Sequence, residues 1–314
     1  MKLSICCLSY NHEAFISKAI DGFLMQSIDV DYEIIIADDA STDNSQHIIK
    51  NYQKKYPELI KIILNKRNIG AAENFRRVLA AASGDYIAYC DGDDFWNSRN
   101  KIKIQIEALD ANPVCSFSFH DVDVVDINGA FINKHSQGRI TQNSVNGIMN
   151  NRKIIGAPLL IAHSNSLLFR RKYLDLNYLN YLGDCTGLDF PLLLSLCSCG
   201  HGYYFKDAMS SYRSHDKSIS HSRRMSENVI NEIREKYDLM DKYYDGIFHL
   251  EIKRNYKGHR VNKILTDLDL MLESRKYFKS ILVSIKLLFG HDDSQYSLRD
   301  IIWLLRKKWK MSAH

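Results

Sequence analysis

The sequence predicts an α/β protein built on a mostly parallel sheet flanked by helices, and three observations carry that prediction. Short apolar runs rich in β-branched residues recur along the first half of the chain. Segments with helical period separate them, as right-handed crossovers between parallel strands require. The runs are continuous rather than alternating, which is the pattern of strands covered on both faces.

The first run is Leu3 to Ser9 (LSICCLS), followed by Phe15, Ile16, Ala19, Ile20, Phe23 and Leu24 at helical spacing. Glu33 to Asp38 (EIIIAD) is the second; behind it Ser41, Thr42 and Asp43 suit the cap and first turn of a helix carrying Ile48, Ile49, Tyr52 and Tyr56. Ile60 to Leu64 (IKIIL) leads into the alanine-rich AAENFRRVLAAASG, whose Gly84 fits the position just past a helix end. Asp85 to Cys90 (DYIAYC) completes a β-α-β-α-β-α-β series. From Val114 the pattern loosens. CSFSFHDVDVVD reads as a strand passing into alternation, and residues 126–156 as loop with short strands. HSNSLLFRR (His163 to Arg171) reads as a further strand, and LDFPLLLSLCSCG (Leu188 to Gly200) as a buried helix stopped by glycine. Beyond about Arg223, charged stretches with tyrosines and leucines at helical spacing predict a helical region. The expected organisation is an α/β domain over residues 1–220 and a helical C-terminal region over 221–314.

Composition narrows the function. With 45% hydrophobic and 25% charged residues among 314, the chain is that of a soluble globular protein large enough to be an enzyme. A net charge of +5 is too mild to point to nucleic acid. The segment Met1 to Phe15 lacks the long apolar core and cleavage site of a signal peptide, and no apolar run approaches the roughly 18 residues of a spanning helix. A cytoplasmic location is the expectation. The seven cysteines, odd in number and mostly in apolar segments, are expected to be reduced and buried, and Cys197 and Cys199 lack the partner pair a zinc site needs.

Ligands of open parallel sheets bind outside the carboxyl ends of the strands. Here the first run meets Tyr10, Asn11 and His12, the second ends at Asp38 and Asp39, and the fourth at Asp91, Asp93 and Asp94. Neither G-x-G-x-x-G after the first strand nor G-x-x-x-x-G-K-[ST] occurs, so no backbone cradle for phosphate is encoded. An edge rich in carboxylates repels a diphosphate unless a divalent metal bridges them, and oxygen ligands suit Mg²⁺ or Mn²⁺.

The set SYN, ADDASTDNS, NIGAAENF, SGDYIAYCDGDDFW and YRSHDKSIS, spread over roughly residues 1–220, resembles glycosyltransferase family 2, nucleotide-sugar enzymes of the GT-A (Rossmann-like) fold. The resemblance implies a divalent-metal-dependent (Mn²⁺ or Mg²⁺) and inverting transfer of a sugar from a nucleoside diphosphate sugar, UDP being the usual nucleotide. It implies backbone contacts to the nucleotide around Leu8, Tyr10 and Asn11, and a hydrogen bond from Asp38 or Asp39 to base or ribose. Asn68, Gly70 and Asn74 match the family's N-x-G segment beside the nucleotide. Asp91 and Asp93 match its D-x-D motif, one near the ribose and one on the metal; because DGDD permits two registers, Asp94 is the alternative metal ligand. Asp189 resembles the acidic residue at the start of a helix that serves as catalytic base, with Leu188 standing where many relatives carry a first acid. Arg213 and His215 in YRSH are expected at the diphosphate and the metal respectively. His163, Ser164 and Ser166 resemble a segment lining the acceptor side. His120, Asp121 and Asp123 alternate along a strand and are read as structural.

The implied acceptor is a saccharide or lipid-linked saccharide of bacterial surface polysaccharide or glycolipid synthesis. Residues 299–310, with Trp303 and Trp309 among Arg299, Arg306, Lys307, Lys308 and Lys310, form a segment able to lie on an anionic membrane face, or to pack as a last helix. Two rival functions use the same edge. A nucleotide-sugar hydrolase or nucleotidyltransferase would consume donor at full rate without acceptor, and an inactive sugar-nucleotide-binding subunit would bind UDP without transfer.

Overall fold

The computed structural model describes residues 2–134, 144–157, 162–183, 189–215 and 237–253. All of them belong to one compact unit, 1–259; a second unit, 260–314, lies outside the described residues, and with it the membrane-facing segment expected at 299–310.

In chain order the elements are β1 (Lys2–Ser9), α1 (Ile16–Leu24), β2 (Asp31–Asp38), α2 (Ser45–Lys55), β3 (Ile60–Leu64), α3 (Ala71–Ala81), β4 (Tyr86–Asp91), β5 (Phe95–Trp96), α4 (Lys101–Ala111), β6 (Cys115–Val125), β7 (Phe131–Lys134), β8 (Gly147–Met149), α5 (Asn151–Ile155), β9 (Leu168–Arg170), α6 (Leu176–Tyr181), α7 (Asp189–Cys199) and β10 (His201–Arg213). The strands form one sheet ordered β3-β2-β1-β4-β9-β6-β10-β5, with β7 added on β6 and β8 on β10. β1, β2, β3 and β4 pair in parallel, as do β6 and β10. β9 is antiparallel to both β4 and β6, and β5 antiparallel to β10. The carboxyl ends of β1, β2, β4, β6 and β10 therefore share one edge.

Alternation along the strands sorts two cores. Leu3, Ile5 and Cys7 of β1 face α1, α2 and α4 together with Ile34, Ile36, Ala88 and Cys90. Cys6 and Leu8 face the other side with Ile35, Ala37, Ile87 and Tyr89, where α3, α6 and α7 cover the sheet. Residues 237–253, largely helical, place Tyr237, Met240, Phe248 and Ile252 in that second core. Each fully buried aliphatic side chain contributes on the order of 1.5–3 kcal/mol, so both helical layers are anchored by burial.

Two expectations are adjusted. The run His163 to Arg171 splits into a 3-10 turn (Ser164–Ser166) and the short β9, because its serines and Asn165 turn into polar partners instead of continuing a ladder. Residues 201–213, to which the sequence pattern assigned no strand, form the longest strand, irregular in register against β6. Of the six described cysteines, five are buried and Cys199 is exposed. No helix among the described residues is long and apolar enough to cross a membrane.

Candidate active site

The shared edge is built first by two loops locked together. After β1 the chain turns through Asn11 (φ 56°), and after β2 through Ala40 (φ 58°), both in the left-handed region. Asn11 N–H donates to Ser41 Oγ at 2.9 Å, Thr42 N–H to Asn11 Oδ1 at 2.8 Å, and His12 N–H to Ser45 Oγ at 2.8 Å. Glu13 N–H and Asn44 N–H add bonds to Asp43 and Glu13. Tyr10, 44% exposed, stands on the rim these loops make, next to the exposed Asn11, while the carbonyl of Leu8 below accepts Gly92 N–H at 2.8 Å.

Asp38 and Asp39 are buried, and their oxygens turn inward. Asp38 accepts from Ser41 N–H, Ser41 Oγ and Gln46 Nε2. Asp39 accepts from Asn65 Nδ2, Ile69 N–H and Gly70 N–H, so it shapes the segment holding the exposed Asn68 and Gly70. Both acids, which the resemblance places at base or ribose, also build the loops around them. Gly70 sits at φ 85°, a conformation that favours glycine. Asn74 is no surface amide: it is 2% exposed, accepts from Asn65 and donates to the Ala37 carbonyl at 3.0 Å.

The acids after β4 occupy three different environments. Asp91 accepts from Tyr89 Oη at 2.5 Å and from Ser164 Oγ at 3.4 Å. Burial, with the charges of Asp93 and Asp189, pushes it up to about 8. Burial works in the same sense on Asp93, but His215, with Nε2 3.1 Å from Oδ2, and His12, at 3.8 Å, outweigh it and hold Asp93 below the usual carboxylate range. Asp94 is 2% exposed, accepts from Arg213 N–H at 2.8 Å and Asn165 Nδ2 at 2.9 Å, and is pushed well up by burial, Asp93 and Asp91. The two registers that DGDD allows are thus separated, since Asp93 meets the imidazoles and Asp94 is enclosed by internal donors. Gly92 makes this turn fit: a Cβ there would lie 2.8 Å from the Leu8 carbonyl and from Ile16 Cδ1, and 2.9 Å from His12 Nδ1.

Arg213, expected at a diphosphate, has these partners within the protein. It is 3% exposed, and its guanidinium donates to the carbonyls of Asp93 (3.0 Å), Asp126 (3.2 Å) and Ile127 (2.7 Å) while lying over the rings of Phe15 and Phe95. It pins the acidic turn to the start of the β6–β7 hairpin. His215, two residues on, reaches Asp93. Asp189 opens α7, half-buried, and its charge is felt at both Asp91 and Tyr89. Ser164 meets Asp91, Ser166 Oγ donates back to the His163 carbonyl, and the His163 ring packs on Tyr212. His120 is buried with Nδ1 against the Asp121 carbonyl, as a structural residue would be.

Sequence reasoning gave no role to three members of this site. His12 was placed at the end of the first strand with Tyr10 and Asn11, but not at the acids. Tyr89 shares a strand face with Asp91, two positions away, and that period was the available signal. Asn165 had none: its partners Asp94, Ser211 and Ser210 are 71, 46 and 45 residues away.

Among the described residues no three His, Cys, Asp or Glu side chains converge as a closed metal cage. Asp93 with His215 still fits an ion that completes its shell with substrate phosphates and water, because such ions need only one or two protein carboxylates. The mutual repulsion of Asp91, Asp93 and Asp94 is what a cation placed there would relieve.

The profile of the family "Glycosyl transferase family 2" matches residues 4–176. The chain is 34% identical over 224 residues to the uncharacterized protein Rv1520 of Mycobacterium tuberculosis, covering 70% of this chain and 61% of that protein. It therefore spans about three fifths of the length of the first curated relatives it matches. Over 101 residues it is 40% identical to the poly(ribitol-phosphate) beta-glucosyltransferase of Bacillus spizizenii, covering 31% of this chain and 16% of that one. Among solved structures it is similar to S. aureus TarS 1-349 in complex with UDP-GlcNAc, with TM-score 0.62, 18% identity, and coverage of 82% and 73%.

Proposed function

The chain belongs to glycosyl transferase family 2, and on that premise we propose that it transfers a sugar from a UDP-sugar to a saccharide acceptor of a bacterial surface polymer, with inversion at the anomeric carbon. The observation that carries the reading is the convergence of Asp91, Asp93, His215 and Asp189 on the carboxyl edge of a GT-A sheet. The UDP-GlcNAc bound by the structurally similar TarS supports the donor class, and the poly(ribitol-phosphate) acceptor named for the B. spizizenii relative supports the acceptor class.

Asp93 and His215 would hold a divalent ion, Mn²⁺ or Mg²⁺, which when bound offsets the charge developing on the departing diphosphate. Asp91, fixed by two hydroxyls, faces the donor ribose. Asp189 takes the proton of the acceptor hydroxyl as its oxygen attacks the anomeric carbon; the bond from that carbon to the phosphate oxygen breaks, with its electron pair leaving on the diphosphate. Arg213 and Asp94 act behind these groups, keeping the acidic turn in place.

The test is UDP release from UDP-sugars by the full chain with polysaccharide acceptors, with Mn²⁺ and with chelator, for the natural protein and Asp189→Asn. We expect acceptor-dependent release that chelator removes and that the variant loses by at least about 100-fold, with product of the opposite anomeric configuration by NMR. Full-rate release without acceptor would instead mark a hydrolase, and a retained configuration would overturn the in-line displacement.

A further inference from the structure

Tyr89 lies at the interior end of the site, and neither the family match nor the reaction written above gives it a role. Its ring is 2% exposed and packs edge-on against Phe75 of α3, with centroids 5.0 Å apart. A phenylalanine would fill that space. What tyrosine adds is one buried hydroxyl, and a buried hydroxyl is destabilising unless it finds a partner. The partner is a site carboxyl group: Tyr89 Oη donates to Asp91 Oδ1 at 2.5 Å. Ser164 Oγ donates to the other oxygen at 3.4 Å, from a 3-10 turn whose next residue, Asn165, holds Asp94. Asp91 is thus gripped from two sides by groups of two different elements, β4 and the turn before β9.

We infer that Tyr89 is a positioning residue, its hydroxyl fixing the Asp91 carboxyl group in the one rotamer that meets the donor nucleotide. The inference rests on the proposed function, in which Asp91 serves the donor and Asp189 the acceptor. Ser164 assists from the far oxygen with the longer and weaker bond. The hydroxyl touches neither donor nor acceptor, so its effect is transmitted entirely through Asp91.

The experiment is a double-mutant cycle read by calorimetry of UDP binding in the presence of Mn²⁺, on the full chain, for the natural protein, Tyr89→Phe, Asp91→Asn and the double variant. Phenylalanine keeps the contact with Phe75, so Tm should change little. Tyr89→Phe should weaken UDP binding about tenfold, the effect of stranding one buried acceptor oxygen of Asp91. In the Asp91→Asn background the same substitution should change the affinity less than twofold, a non-additivity that a packing role would not produce. Ser164→Ala should shift affinity in the same direction by a smaller factor. Natural-like UDP binding by Tyr89→Phe, or a loss that adds fully to that of Asp91→Asn, overturns the inference while leaving the proposed function standing. If the natural protein binds neither UDP nor GDP with Mn²⁺, both are overturned.

Discussion

Asp93 and Asp94 are adjacent acids with opposite fates, and the difference is one of partners. Asp93 faces two imidazoles, whereas Asp94 carries an internal load, with Arg213 N–H on one oxygen and Asn165 on the other. Asp93→Asn should therefore abolish the Mn²⁺-dependent part of UDP binding and leave Tm nearly unchanged. Asp94→Ala should lower Tm by several degrees, because a buried bond to a backbone N–H and an amide are both lost, at about 1–3 kcal/mol for each donor stranded. Calorimetry and thermal unfolding of the two variants check this; a metal-insensitive Asp93→Asn would move the ion elsewhere. At this scale the sequence was legible in kind but not in detail. The motif DGDD located the acids, yet which one is enclosed depends on Arg213 and Asn165, which meet it only across the sheet.

Strands and helices were more legible than the contacts between them. β1 to β4 follow from continuous apolar runs, each within two residues of its expected bounds, because burial on both faces leaves a strong signature. β10 was hidden: Lys206 and Asp207 interrupt it where its register against β6 shifts, and the polar Ser210, Ser211 and Arg213 are buried in its second half, against the usual pattern. The close approach of β1 and β4 rests on glycine at two places. At Gly84 an added Cβ would lie 2.5 Å from Ser4 N, a backbone atom that cannot step aside. Gly84→Ala should then destabilise the protein by about 1–3 kcal/mol, measured as a lower denaturation midpoint with unchanged m-value. A midpoint equal to that of the natural protein would mean that the two strands separate more readily than this packing implies.

For the whole molecule, the edge of the sheet opposite the site carries its own charge device. Glu33, 2% exposed, would be raised by burial, but hydrogen bonds from Lys61, Ser83 and Ser4 outweigh that and hold it at about 2. Its folded value lies below the unfolded one, so the stability it supplies is present above roughly pH 4.5 and is lost as pH falls toward 2. Chemical denaturation of the natural protein and Glu33→Gln at pH 7, 4 and 3 should show two curves that converge in acid; parallel curves would remove Glu33 from the acid response. Near the acidic turn, Lys101 is fully buried, its Nζ 4.2 Å from the centre of the Trp96 ring, and burial lowers it to about 7. Trp96 also donates Nε1–H to the carbonyl of Asn165, the residue that holds Asp94. The emission of this indole should therefore change when the neighbouring amine loses its proton and when the floor of the site shifts, a change that a fluorescence titration shows for the natural protein and not for Trp96→Phe.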